Sequence, residues 1–343
     1  MKHSEMHESW SQYLRECARS IDPIGIVGLG SIGKRYARIL REHGLRVFAF
    51  EVNQTIAQEI ASKTGVVTRS SMESLLSEKL SFCIVATPPD QHLQPAEAAL
   101  WAGVPALVEK PLAHTLADSE ALVRIAEKSG TACYCVCNMR FHPGLRALHH
   151  NRHRAGEICF VRAHFGHRLS QMRPAGTNIF AASSEMGGGV ILDCIHEFDY
   201  LQAMLGPLHH IKSTTASLGP DKIAAEDWAR IELQTIDGMP VSLDLDFISR
   251  RKNRGCELIG SEGSVIWSSL GRSPEEVSVT FSDDRVVQSL YNKCGLNADE
   301  EYGLMLADMI RSLSAKSLPM IPIQTVQEAA RSLSLCLQAL EDC

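Results

Sequence analysis

The chain has 343 residues, with 34 basic and 40 acidic side chains, 45% apolar residues and 6% aromatics. That average composition excludes disordered, collagenous and coiled-coil classes, and a formal charge of −6 without a dense Lys/Arg stripe argues against a nucleic-acid partner. The length exceeds the roughly 250–300 residues that one hydrophobic core serves, which predicts two domains.

Residues 4–20 read as a short amphipathic helix, with Trp10, Tyr13, Leu14 and Cys17 at helical spacing ahead of Asp22-Pro23. From Ile24 the pattern is strand (Ile24 to Val27), glycine turn, helix (31–43) and strand (Arg46 to Phe50), a βαβ unit. The alternation continues through a helix at 54–63, a strand near 66 and a helix at 71–77 to a strand from Ser81 to Ala86. A helix at 92–102, a strand from Ala106 to Val108, a helix at 116–129 and a strand from Cys133 to Cys137 complete it. Apolar strands alternating with helices predict a doubly wound parallel sheet. Beyond Asn138 come a strand at 157–165, a polar loop at 168–189 and a single helix over 190–205. The runs Ile231 to Thr235 and Val241 to Phe247 flank Asp237-Gly238 and predict a hairpin. Strands near 255–259 and 263–268 and amphipathic helices at 298–314 and 324–340 follow. The expected division is a helical extension at 1–20, a dinucleotide domain at 21–137 and an α+β domain with a mainly antiparallel sheet at 138–343. The last helix is expected to pack back on the dinucleotide domain.

Met1 to Ser20 mixes charges of both signs and lacks an apolar core, unlike a signal or transit peptide, and no run of about 18 apolar residues occurs. The eleven scattered cysteines read as thiols in a reducing compartment, so the expectation is a cytoplasmic protein without a membrane partner.

Gly28-Leu29-Gly30-Ser31-Ile32-Gly33 matches GxGxxG between a strand and a helix. Gly28 permits the sharp turn, Gly30 lets backbone approach a pyrophosphate, and Gly33 lets helix and strand touch; the amino end of the helix favours an anion. Glu51 closes the second strand, where a carboxylate accepts from ribose hydroxyls and repels a 2′-phosphate, favouring NAD over NADP. Thr87-Pro88 and Glu109-Lys110 end two further strands, at the carboxyl edge where such sheets bind ligands. The coenzyme cradle is therefore read as Gly28, Gly30, Ser31, Ile32, Gly33, Glu51, Thr87, Pro88, His92, Glu109 and Lys110. An ammonium at Lys110 polarises an oxygen or moves a proton beside the coenzyme.

The glycine loop, Thr87-Pro88-Pro89 followed by His92, Glu109-Lys110-Pro111, and Gly187-Gly188-Gly189 followed by Asp193 and His196 together resemble the Gfo/Idh/MocA family from about Ile24 to the end of the chain. The resemblance implies a Rossmann domain, a carboxy-terminal domain whose large sheet is often used for oligomer contacts, a homo-oligomer, Lys110 at the reaction centre and a cis bond at Pro111. Many members carry the His four residues after the Asp, whereas here it follows by three. The Asp-x-x-His-Glu-x-Asp form and Asn138-Met139-Arg140-Phe141-His142-Pro143 resemble a subset associated with biosynthesis of sialic-acid-like sugars. The Gly-Tyr pair common before this Asn is replaced by Val136-Cys137, so no catalytic Tyr carries over.

On one helix, Asp193 and His196 share a face, and a carboxylate there orients an imidazole that takes a hydroxyl proton. Arg140 and Arg173 are read as contacts for an anionic substrate, since Arg grips carboxylate or phosphate with two parallel bonds. Asp199 is read as structural. Cys133, Cys135 and Cys137 alternate along one strand, and His149, His150 and His153 lie on a helix; neither spacing closes a zinc site, and no metal is expected. These features predict an NAD-dependent oxidoreductase exchanging hydride with a secondary alcohol or carbonyl of a sugar, sugar acid or nucleotide-linked sugar. The alternatives are a redox-neutral NAD-using epimerase or glycosidase, a non-catalytic dinucleotide or sugar sensor that binds another protein, and a structural subunit.

Overall fold

The computed structural model describes residues 9–173, 182–183, 188–271, 275–315 and 323–342. The described residues of Met1–Asn138 and Asp299–Ala330 form one compact unit, and those of Met139–Ala298 and Arg331–Cys343 a second. Asp299–Ala330 thus returns to the first unit instead of staying with the strands that precede it.

The first unit is built on β1 (Ile24–Val27), β2 (Val47–Phe50), β3 (Val67–Thr68), β4 (Phe82–Val85), β5 (Ala106–Val108) and β6 (Cys133–Cys135). The order across the sheet is β6-β5-β4-β1-β2-β3, all parallel, with Gln324–Thr325 antiparallel on the outside of β6. Both β1 and β4 are buried at every position, as strands covered on two faces must be. The helix Ser31–Glu42 buries Gly33, Tyr36, Ala37 and Leu40, a single stripe at helical spacing. Strand order reverses at β1 and β4, so the crevice lies where Gly28, Thr87 and Lys110 leave the sheet. The amino-terminal helix, Ser9–Cys17, buries Leu14 and sets the Trp10 ring 5.0 Å from that of His43.

The second unit holds an eight-stranded sheet made of β7 (Ile158–Gly166), β8 (Leu208–Ala216), β9 (Trp228–Thr235), β10 (Pro240–Asp246), β11 (Asn253–Gly260), β12 (Gly263–Leu270), β13 (Glu276–Ser282) and β14 (Val287–Cys294). Its order is β14-β13-β12-β11-β7-β10-β9-β8, antiparallel except for the β7–β10 pair. Burial alternates residue by residue along β9 and β10, leaving one face for the core. The expected hairpin joins these two strands, with Gly238 at positive φ. That core takes in Val161, Leu243, Leu258, Trp267 and Phe198, together with Leu333, Cys336 and Ala339 of the last helix, Val326–Glu341. Val326 and Ala329, from the first turn of the same helix, belong to the core of the first unit. Among the described residues no helix is long and apolar enough to cross a membrane.

Candidate active site

The glycine loop has the geometry its spacing predicts. Gly28 sits at φ +89°, and a β-carbon there would come within 2.8 Å of the Ala86 carbonyl. At Gly33 a β-carbon would overlap the Gly28 carbonyl, whereas at Gly30 it would meet nothing within 4 Å. Gly30 is also the amino cap of the Ser31–Glu42 helix, and no side chain caps it. Bare backbone, open space and the amino end of a helix, which carries the backbone of Ser31, Ile32 and Gly33, fit a pyrophosphate. Glu51 closes β2 and accepts from the Leu29 amide (2.7 Å, Oε2) and the Asn53 amide (2.9 Å, Oε1). A carboxylate has about four acceptor positions, so two remain for ribose hydroxyls.

Between the Thr87 and Lys110 loops lies a residue that burial removes from any ligand. His92 is fully buried; Nε2 faces the Thr87 carbonyl at 2.9 Å, and Nδ1 faces the carbonyls of Pro111 at 3.1 Å and Leu112 at 3.3 Å. Burial lowers its pKa, so the ring is neutral at pH 7 and donates from one nitrogen only. The expectation that His92 touches the coenzyme is therefore corrected: it packs between the loops carrying Thr87 and Lys110 and donates to one of them. The Lys110–Pro111 peptide is cis, as the resemblance implied. Glu109 also points inward. Its carboxyl accepts from Tyr36 Oη at 2.6 Å and from the Lys110 amide at 3.1 Å, and burial raises its pKa despite both bonds. Tyr36 lies one helical turn past Gly33; its stripe marks it as core and hides its part in holding the Lys110 loop.

In the second unit the expected single helix is two. Val190–Asp193 ends at Cys194, whose φ of −94° and ψ of 26° break the spiral, and Ile195–Leu205 begins after it. Asp193 and His196 stand on opposite sides of that break and do not share one helix face. Asp193 instead accepts from Arg173 Nη2 at 2.8 Å. Glu226, a residue not singled out from sequence, accepts from the Ile191 amide at 3.0 Å and holds the start of the shorter helix; burial raises its pKa. Gly188 and Gly189 precede that helix, while Gly187 lies outside the described residues.

Arg140 is turned onto a protein carboxylate. It is buried and forks onto Asp199 through Nε (2.9 Å to Oδ2) and Nη2 (2.6 Å to Oδ1), which corrects its reading as a substrate contact. Asp199 is structural, as expected, and so is Glu197, which sequence reasoning passed over. Both Glu197 oxygens take bonds from Arg254, at 2.6 and 3.1 Å. Only the approach of distant strand residues reveals that pairing. Among the described residues no group of three or more His, Cys, Asp or Glu side chains is placed to hold a metal ion.

Two family models match the chain. One, the oxidoreductase family with an NAD-binding Rossmann fold, matches residues 23–136; the other, the Gfo/Idh/MocA carboxy-terminal domain, matches residues 149–266. A protein of Amycolatopsis mediterranei provisionally named UDP-kanosamine synthase oxidoreductase subunit is 28% identical over 286 residues, 74% of this chain and 79% of that one. The D-apiose dehydrogenase of Paraburkholderia graminis is 28% identical over 206 residues, but the match spans only 57% of this chain and 53% of that protein. The structure of UDP-N-acetylglucosamine 3-dehydrogenase from Acidithiobacillus ferrooxidans superposes with a TM-score of 0.73 at 19% identity, covering 94% and 97% of the two chains.

Proposed function

The chain belongs to the Gfo/Idh/MocA oxidoreductase family, and from that premise we propose that it oxidises or reduces a sugar, a sugar acid or a nucleotide-linked sugar at a secondary alcohol or carbonyl. The observation that carries the reading is the placement of Lys110 at the carboxyl end of β5, on a loop packed against His92 and Glu109, beside a glycine loop shaped for a pyrophosphate. NAD, when bound, supplies the acceptor or donor for the substrate hydride. Gly28, Gly30, Ser31, Ile32 and Gly33 receive the pyrophosphate. Glu51 takes the ribose and disfavours a 2′-phosphate, and Thr87 and Pro88 border the coenzyme. The Lys110 ammonium stabilises the substrate oxygen as it becomes a carbonyl. His196 removes the hydroxyl proton, and Asp193, paired with Arg173, closes the shorter helix ahead of it. Names of relatives that act on nucleotide sugars and free sugars support this substrate class. We read the protein as cytoplasmic and homo-oligomeric.

Near-ultraviolet absorbance of NADH tests the proposal directly. Purified protein with NAD is offered UDP-N-acetylglucosamine, its uronic acid, D-apiose and sialic-acid-like sugars. Turnover of at least one, abolished by Lys110→Ala with NAD affinity kept, is the expected result. No absorbance change together with product formation would mean redox-neutral chemistry, and no chemistry with any sugar would remove the enzyme reading.

A further inference from the structure

The helix Ile195–Leu205 carries His196 between two buried acids. At about 100° per residue, Glu197 stands about 100° to one side of His196 and Asp199 about 60° to the other. Both carboxylates are fully buried. Each is gripped by an arginine of a different element, Glu197 through two hydrogen bonds and Asp199 through three. Arg254 comes from β11, and Arg140 from the turn Asn138–Phe141. Arg254 is itself held, with its guanidinium 4.8 Å from the Phe165 ring centre and Nη1 3.0 Å from Met139 Sδ. One residue on, Tyr200 meets the Trp267 ring edge-on at 6.0 Å.

Stability does not account for two such pairs. A buried ion pair usually contributes no more than apolar residues of the same volume, because desolvating both charges offsets their attraction. What paired forks supply is geometry: two parallel bonds resist both sliding and rotation. Close packing of Phe198, Tyr200 and Leu201 resists gross movement of the helix, and forks on both flanks add a directional restraint on its rotation.

We propose that Arg254–Glu197 and Arg140–Asp199 are positioning residues that fix the rotation of this helix and so aim the His196 imidazole for proton transfer. The proposal rests on His196 being the proton acceptor, and its test keeps the two claims apart. The protein is labelled with 13C at histidine ε1, and the ring signal of His196 is identified as the one lost in His196→Asn. In the double variant Glu197→Leu/Arg254→Met, volume is kept and neither charge is stranded. The thermal midpoint and NAD affinity are expected to match the parent, while the His196 signal shifts, broadens or doubles. With the panel sugar that the parent turns over fastest, kcat falls about 10- to 100-fold and KM changes less than about threefold, the pattern of a misaimed group. Arg140→Met/Asp199→Leu is expected to behave alike. Should either double variant fail to fold, Arg254→Lys keeps the charge without the fork and is expected to show the same signal change and the same fall in kcat. A stable variant with the parental His196 signal and kcat within twofold overturns the positioning role. Full activity in His196→Asn instead overturns the proton-acceptor reading and leaves the signal measurement to decide the positioning claim alone.

Discussion

Glu51 binds two backbone amides before any ligand arrives, so its carboxylate is held in place rather than searching among rotamers. Charge-assisted hydrogen bonds are worth roughly 1.5–3 kcal/mol each, so Glu51→Ala is expected to raise the Kd for NAD about 10- to 100-fold by calorimetry. The preference for NAD over NADP should narrow at the same time, since the repelling charge is gone; an unchanged Kd would place the ribose elsewhere. A second carboxylate is legible only in three dimensions. Burial alone would raise the pKa of Glu275, but hydrogen bonding to His142 and the nearby Lys252 ammonium outweigh it and hold the value at about 2. With a folded pKa below the unfolded one, its contribution is complete above the ordinary carboxyl value and is lost as pH falls toward 2. Glu275→Gln should therefore cost about 3 kcal/mol in urea unfolding at pH 7, and the gap to the parent should close between pH 4.5 and about 2.

Elements whose boundaries are set by periodicity and turn chemistry are legible in the sequence. The strands Ile24–Val27 and Ala106–Val108 and the helix Leu116–Ser129, capped by Thr115 and ended by Gly130 at positive φ, are such elements. The break at Cys194 is not, because no Gly or Pro marks it and apolar spacing continues through it. Nor is β14, whose residues are largely exposed and carry little alternation. Arg140 shows the same limit at a site: its residue type suits a ligand, but its partner is Asp199, 59 residues away in sequence. The amino-terminal helix was visible as amphipathic, yet what it covers was not. A β-carbon on Gly303 would collide with the Trp10 ring, and the Arg311 guanidinium lies 4.6 Å from the Tyr13 ring centre. Because Trp10 is only partly buried, Trp10→Ala is expected to cost about 2 kcal/mol, below the 3–5 kcal/mol of a core Trp. Denaturant unfolding measures that loss, and NAD affinity should not change with it.

Across the whole molecule, chemistry is divided by unit: every residue proposed to hold the coenzyme belongs to the first, and His196, Asp193 and Arg173 belong to the second. A ligand stabilises the state that binds it, by about 2.7 kcal/mol when its concentration is a hundred times Kd. For a coenzyme held by the glycine loop, Glu51 and the Thr87 and Lys110 loops, that energy enters the parallel sheet. Its strands share one ladder of hydrogen bonds from β3 to β6. Amide exchange reads where it goes, because exchange from a cooperative unit slows with that unit's own opening free energy. Saturating NAD is expected to slow exchange in β1, β2, β4 and β5 by about tenfold or more, and to leave β8, β9, β13 and β14 within about twofold of the free protein. Lys110→Ala should keep this pattern, since its ammonium serves the substrate oxygen and the cradle is mainly backbone. Equal slowing in both sheets would show that the coenzyme draws its binding energy from the second unit as well, and the division of labour between the two would have to be abandoned.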